Sequence, residues 1–300
     1  MTKKGRLLGI LERIMPEDIK AEIAVLTQSV VETRLADNSL AGSCQRREHR
    51  VQIRVEEEGR VGQHSSTLLT LPSLRATLAQ ARANAAQGPP GPLILTGNTG
   101  YREMSLFQAS SAGQSPATQA ESLQPLLEIA GSMNILAQAV LTAQSGELAI
   151  ANTAGLRANT AATLASYLVS VQGVQGIGQG WGWDCNRNVQ ALDLMAPFLA
   201  AAAKSLAASQ PKPIAGGKYT VILEPAAVAD LVALLAKTVF NGRAYLEKRS
   251  PLAKIGQKLF GENINIWDDG LDTRGLAIPF DFQGFPKQRL NLVSRGIVPN

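Results

Sequence analysis

The chain has 300 residues, 45% of them hydrophobic and 18% charged, with 29 Lys and Arg against 24 Asp and Glu for a net charge of +5. At roughly 100–200 residues per domain this is enough chain for two domains, with three small ones possible, and it is neither a charged disordered polymer nor a coiled coil. Two cysteines, Cys44 and Cys185, and two histidines, His49 and His64, exclude a disulfide framework and a four-cysteine zinc site.

From an N-terminus with a basic start at Lys3, Leu7, Leu8, Leu11 and Ile14 follow helical spacing within Gly5 to Met15, and the helix stops near Pro16. Its apolar stretch is interrupted by Glu12 and Arg13, which argues against a signal peptide. Ala21 to Leu35 carries the β-branched pairs of a strand or hairpin. The clearest strand is Arg50 to Glu56, where Val51, Ile53 and Val55 alternate with Gln52 and Arg54. Glu58-Gly59 is a turn, and Arg60 to Ser65 returns antiparallel. Arg46, Arg47, His49, Arg50 and Arg54, followed at once by Glu56, Glu57 and Glu58, read as a solvated strand face in preference to a phosphate-binding patch. Thr70 and Pro72 open an Ala-rich helix over Leu74 to Ala86, ending at Gly88.

Gln87 to Pro92 holds three prolines and two glycines and reads as a linker. Ser115-Pro116 caps a helix reaching Ile129. In Ala137 to Gln172 the propensity favours helix, but Ser145-Gly146 and Ala154-Gly155 are placed as tight turns between strands of 6–10 residues, so antiparallel strands are expected. The glycine- and tryptophan-rich Gly173 to Trp183 reads as a flexible segment with aromatic anchors, and Asn188 to Ala208 as a helix. Within that helix Asp193, Pro197 and Lys204 break the only long apolar run, so no membrane span of ~18 residues is expected. A second linker, Pro211 to Gly217, precedes a buried strand Tyr219 to Leu223, a helix Ala226 to Phe240, a strand Asn265 to Trp267, a turn Asp268 to Gly270 and a strand Leu290 to Val293. The fold class is α+β.

No local constellation makes a familiar catalytic centre. Cys185 and Cys44 lack a fixed histidine partner, and His64 beside Ser65-Ser66 lacks a third orienting group. The glycines 173, 176, 178 and 180 lack the Lys-Ser/Thr ending of a phosphate loop. Asp268, Asp269, Asp272 and Asp281 suit turn capping better than a divalent cation.

Several longer stretches resemble the TldD/PmbA family, known as modulators of DNA gyrase and as peptide-processing metalloproteases. Glu147 to Leu156 is similar to its hairpin "VxVANSxGL", and Tyr219 to Pro225 to the strand opening its last domain. Ser250-Pro251-Leu252 through Gly256-Gln257-Lys258, Asp268-Asp269-Gly270, Ile278 to Asp281, Gly284-Phe285-Pro286 and Ser294 to Ile297 continue the match. The resemblance implies an N-terminal α+β domain over 1–88, a β-rich middle domain over 89–210 and the start of a C-terminal sheet-rich domain over 211–300, shortened relative to family members.

Catalytic TldD-type members carry HExxxH after the Tyr219-type strand, two zinc ligands and a general-base glutamate. The matching positions here hold Ala236, Lys237 and Asn241. Neither histidine nor the glutamate is present, and a charged lysine accepts no proton from water. Phe240-Asn241-Gly242 resembles the PmbA (TldE)-type members that lack the motif. The resemblance thus implies a subunit with no catalytic or metal residue of its own, zinc belonging to a TldD-type partner, and unfolded peptide as substrate; a cytoplasmic location is the expectation from the N-terminus and the missing membrane span. The subunit pairs with that partner, with itself, or with both. Asp268, Asp269, Gly270, Asp281 and Gly284 are the family-motif positions that would line a peptide groove. A stand-alone peptidase is the alternative, and a DNA- or gyrase-associated binding protein ranks last.

Overall fold

The computed structural model describes residues 5–173, 178–250 and 255–299, in two compact units. Lys3, Gly176, Pro251 and Leu252, named above, lie outside the described residues.

The first unit comprises Met1–Lys212 together with Ile278–Pro286. Its centre is one antiparallel six-stranded sheet in the order β3-β2-β1-β4-β5-β6, made of β1 (Lys20–Ala36), β2 (Ser39–Glu57), β3 (Arg60–Ser66), β4 (Ile135–Asn152), β5 (Arg157–Gly173) and β6 (Gln179–Asn186). Five helices accompany it: α1 (Arg6–Glu12), α2 (Leu71–Ala85), α3 (Ala109–Ala112), α4 (Pro116–Ser132) and α5 (Met195–Ala207). The chain therefore runs twice through three strands of a meander with a helix before and after, and the two runs meet where β1 pairs antiparallel with β4.

The alternation in the sequence decides the faces. Ala21, Ile23 and Val25 of β1, Val51, Ile53 and Val55 of β2, and Ala149 and Ala151 of β4 bury against Leu7 and Leu11 of α1 and Leu74 and Ala81 of α2. Further along the same face, Ala137, Ala139 and Leu141 of β4 and Tyr167, Val169 and Val171 of β5 pack on Leu123 and Leu126 of α4 and Phe198 and Ala201 of α5. The opposite face carries a smaller core of Leu148, Ile150, Leu156, Ala158 and Phe280, with Ala24, Leu26 and Tyr101 against it.

The turns follow their residues. Asp37 and Asn38 both have positive φ, 49° and 59°, as a two-residue hairpin of the primed type requires. Asn38 then ties itself to β4, its amide donating to the Ile135 carbonyl at 2.6 Å and its Oδ1 accepting from Ala137 N at 2.7 Å. Glu58-Gly59 makes the expected turn with φ of 51° and 71°. Thr70 caps α2, and Ser115 caps α4 through a reciprocal bond with Thr118, as read from the sequence.

In this first unit four expectations need correction. Ser145-Gly146 is not a turn: β4 runs straight through it, with Gly146 paired to Gln28 and Ala162, because strands on both sides supply the ladder partners. Residues 179–186 are not a flexible segment but strand β6, whose glycines serve helix packing: a Cβ at Gly180 would lie 2.0 Å from the Ala201 carbonyl and one at Gly182 2.2 Å from that of Pro197. The helix expected over Asn188 to Ala208 begins only at Met195, after a 3₁₀ turn at Val189–Ala191. The division expected at residue 88 falls inside one sheet; the proline-rich 89–91 instead covers the outer edge of β3, with Val61 N on the Pro89 carbonyl at 3.1 Å and Gly91 N on that of Gly59 at 3.0 Å.

The second unit comprises Pro213–Ala277 and Lys287–Asn300. It holds α6 (Pro225–Thr238), α7 (Gly242–Leu246) and a two-stranded sheet of β7 (Ile266–Asp269) and β8 (Arg289–Val293). The buried strand expected at Tyr219 to Leu223 is not formed: the segment has no ladder partner among the described residues and is exposed, Ile222 at 99%. A β-prone sequence becomes a strand only beside another strand. Asp268 and Asp269 end β7, so the turn expected at Asp268 to Gly270 starts at Gly270.

Candidate functional site

The six positions 236–241 do not form one helical surface. The last helical residue of α6 is Thr238, and Val239 caps it with its N–H on the Leu235 carbonyl. Ala236 and Lys237 are exposed on that final turn. Asn241 belongs to the next element: its side chain caps α7, Oδ1 accepting from Ala244 N at 3.1 Å. A methyl group, an ammonium and a carboxamide already engaged in a cap do not fit a zinc ion. Among the described residues no group of three His, Cys, Asp or Glu side chains is gathered closely enough to hold a metal.

The other motif residues separate into the two units. In the second, Asp269 Oδ1 accepts from Leu271 N at 3.1 Å, and Asp272 accepts from the backbone and the guanidinium of Arg274 at 2.7–3.2 Å. These bonds hold the Asp272 carboxyl down at about 2, the Arg274 side chain contributing most. Arg289 lies 4.9 Å above the Trp267 ring across the β7–β8 pair. Gly270 passes the Lys287 side chain, which a Cβ would meet at 2.9 Å.

In the first unit, Asp281 and Gly284 build one tight loop. Asp281 Oδ1 accepts from Gln283 N at 2.8 Å and Phe285 N at 2.9 Å, and Gly284 turns the chain at φ 78°. Phe280 is 1% exposed among Leu148, Ile150 and Leu156, 4.6 Å from the Tyr101 ring. The Tyr101 hydroxyl donates to the Gly284 carbonyl, and that of Thr96 to Gln283 O at 3.2 Å. A Cβ on Gly284 would strike Leu156 at 2.3 Å. Asp281 and Gly284 thus shape a docked loop, whereas Asp268, Asp269 and Gly270 shape the C-terminal end of β7.

In the basic run on β2, Arg46, Arg47 and Arg50 are exposed as expected, Arg46 pairing with Glu48 at 3.1 Å, but Arg54 is half-buried and reaches across to the buried Glu22 at 2.6 Å. Cys44 and Cys185 are free thiols, and burial, then Asp184, pushes the Cys185 thiol up, away from the reactive thiolate. Sequence reasoning missed Glu22, a nearly buried carboxylate on β1; its only signal was an acidic residue within an apolar strand pattern. Among the described residues no helix is long and apolar enough to cross a membrane.

Residues 216–300 match the family model of the PmbA/TldA metallopeptidase C-terminal domain. An uncharacterized protein of Methanocaldococcus jannaschii is 36% identical over 85 residues, which are 28% of this chain and 20% of that protein's length. Three solved structures share the fold. A Thermotoga maritima protein described as a proposed modulator of a DNA gyrase superposes with a TM-score of 0.86 at 20% identity, over 98% of this chain and 68% of its own. TldE from Thermococcus kodakarensis does so with 0.84 at 20% identity over the same shares. A Bacteroides thetaiotaomicron protein, again a proposed modulator of DNA gyrase, gives 0.82 at 17% identity, over 99% and 70%. Residues 216–300 are thus similar to the C-terminal domain of the PmbA/TldA metallopeptidases, and the described residues carry the α+β fold of these solved structures.

Proposed function

We propose that this TldD/PmbA-type chain is a TldE-like, metal-free subunit of a peptide-processing metalloprotease complex, the hydrolytic chemistry belonging to a TldD-type partner. The observation that carries the reading is the state of positions 236–241. The general-base position holds the exposed Lys237, one ligand position holds Ala236, and the other holds an asparagine spent on capping α7. The structural likeness to TldE supports it. The peptide is proposed to bind in extended form, since strand addition reads backbone and tolerates many side chains. Two free cysteines fit a reducing cytoplasm.

The test is to purify the chain alone and together with an HExxxH-bearing family member. Metal analysis and hydrolysis of an unfolded peptide are then measured on each sample. The proposal expects less than one-tenth equivalent of zinc and no hydrolysis from the chain alone, with zinc and activity in the complex. Stoichiometric zinc with activity from the chain alone establishes the stand-alone peptidase instead. A DNA-binding role would show as affinity falling steeply with salt.

A further inference from the structure

Ile278–Pro286 belongs to the first unit although the sequence on both sides of it belongs to the second. Its grip on the sheet is the Phe280 side chain in its socket and the two hydroxyl bonds from Tyr101 and Thr96. On the same face of β1 as Ala24 and Leu26, which line that core, stands Glu22, 3% exposed. Its Oε1 accepts from Arg54 Nε at 3.0 Å and Nη2 at 2.6 Å. Its Oε2 is buried with no hydrogen-bond partner.

A half-answered buried carboxylate is costly when ionised, because one oxygen has lost its water and gained nothing. The charged groups around it are few. Arg54 of β2 attracts it, and Asp281 of the docked loop repels it. Lys20 and Glu56, two ladder rows away, pair with each other at 3.2 Å. Asn152, opposite Glu22 on β4, donates from its amide to the Thr96 carbonyl, and its Oδ1 accepts from Ala154 N and Leu156 N, so the side chain is turned to these partners and not to Glu22.

We propose that residues 278–286 form a releasable clasp on this face of the sheet, closed when Glu22 is neutral and loosened when Glu22 is ionised. Opening the loop lets water reach Oε2 and screens the repulsion from Asp281, so the charged form gains more from opening than the neutral form. In the closed state burial raises the Glu22 carboxyl above its ordinary value, Arg54 opposing and Asp281 reinforcing the rise. The closed state therefore holds its proton more tightly than the open one. Closure is complete below the ordinary carboxylate range and weakens as pH rises through the closed-state value, by up to about tenfold per pH unit for a single proton. Release would uncover the Phe280 socket and the apolar sheet face around Leu148 and Ile150.

Hydrogen exchange of the full chain between pH 4.5 and 8, corrected for intrinsic exchange, tests this. In the wild type, opening of residues 278–286 should increase with pH while β1 and β4 stay protected. Glu22→Gln should abolish the pH dependence. Arg54→Gln removes the group that holds the Glu22 carboxyl down and should move the transition to higher pH. A wild-type loop whose opening does not vary with pH overturns the proposal, as does an unchanged pH dependence in folded Glu22→Gln. Should Glu22→Gln fail to fold by circular dichroism, Arg54→Gln decides: an upward shift supports the clasp, and no shift overturns it.

Discussion

Gly182 should not tolerate alanine. Its Cβ would lie 2.2 Å from the Pro197 carbonyl oxygen and 2.8–2.9 Å from the Pro197 C and Cα, backbone atoms that no rotamer change can move aside. Restoring an ordinary contact requires the start of α5 to retreat by roughly 1 Å, and a gap of that size forfeits about a quarter to a half of each dispersion contact along it. The contacts at stake are those of Phe198 and Ala201, both fully buried on β5. Overpacking of this kind costs about 1–3 kcal/mol. Alanine in a strand recovers about 0.5–1 kcal/mol of backbone entropy. With the clash against backbone, the net loss should lie near 2 kcal/mol, at the upper end of the difference. Urea unfolding followed by circular dichroism measures it, with Gly131→Ala as the control. Gly131 lies in α4 with nothing within 4 Å of an added Cβ, so that change should stabilise by about 1 kcal/mol. A Gly182→Ala protein within about 0.5 kcal/mol of wild type, with unchanged exchange in α5, would refute the packing argument.

Phe280→Ala should undock residues 278–286 at every pH, and its cost should stop short of the roughly 3–5 kcal/mol of a core phenylalanine because the loop can leave the sheet instead of keeping a cavity; proteolysis within 278–286 reads the undocking. Asn241→Ala should cost about 1 kcal/mol of local stability and speed exchange in residues 242–246 while leaving the zinc content unchanged, since the side chain caps α7. The triple substitution Ala236→His, Lys237→Glu and Asn241→His should bind zinc weakly and give no peptidase activity, because α6 ends at Thr238 between the two histidines; stoichiometric zinc surviving dialysis would contradict this. Asp272, held down at about 2 by Arg274, stabilises the local turn over residues 272–275 fully above its unfolded value of 3.8 and loses that contribution as pH falls through about 2, so Asp272→Asn should remove this part of the acid sensitivity; unfolding between pH 2 and 5 checks it.

What the sequence shows well is whatever is local. Val51, Ile53 and Val55 announce a half-buried strand, Ser115-Pro116 announces the start of α4, and Pro225 opens α6 one residue from where the pattern places it. The α+β class follows from such stretches, as does the likeness of residues 216–300 to the PmbA/TldA C-terminal domain. The missed features are non-local. Whether Ser145-Gly146 bends or runs straight depends on β1 and β5, more than a hundred residues and about twenty residues away respectively. Gly180 and Gly182 look like flexibility until α5 is laid against them. Tyr219 to Leu223 has the composition of a strand but lacks a neighbour, and Asp281 and Gly284 share a motif with Asp268 and Gly270 yet belong to a different unit. Of the candidate site, the identities of Ala236, Lys237 and Asn241, none of them a metal ligand, were legible residue by residue. The orphaned oxygen of Glu22 was not, since it arises from what packs over β1.

The length of β1 and β4 has a thermodynamic consequence. At about 3.3 Å per residue their 17 and 18 residues run roughly 55–60 Å, from the core under α1 and α2 to the core under α4 and α5. A strand is a single covalent rod with its ladder bonds in series, so neither core can melt without stripping partners from the other. The two halves of the meander are thus coupled through shared strands and should unfold in one cooperative transition, with slow-exchanging amides clustered along the β1–β4 seam.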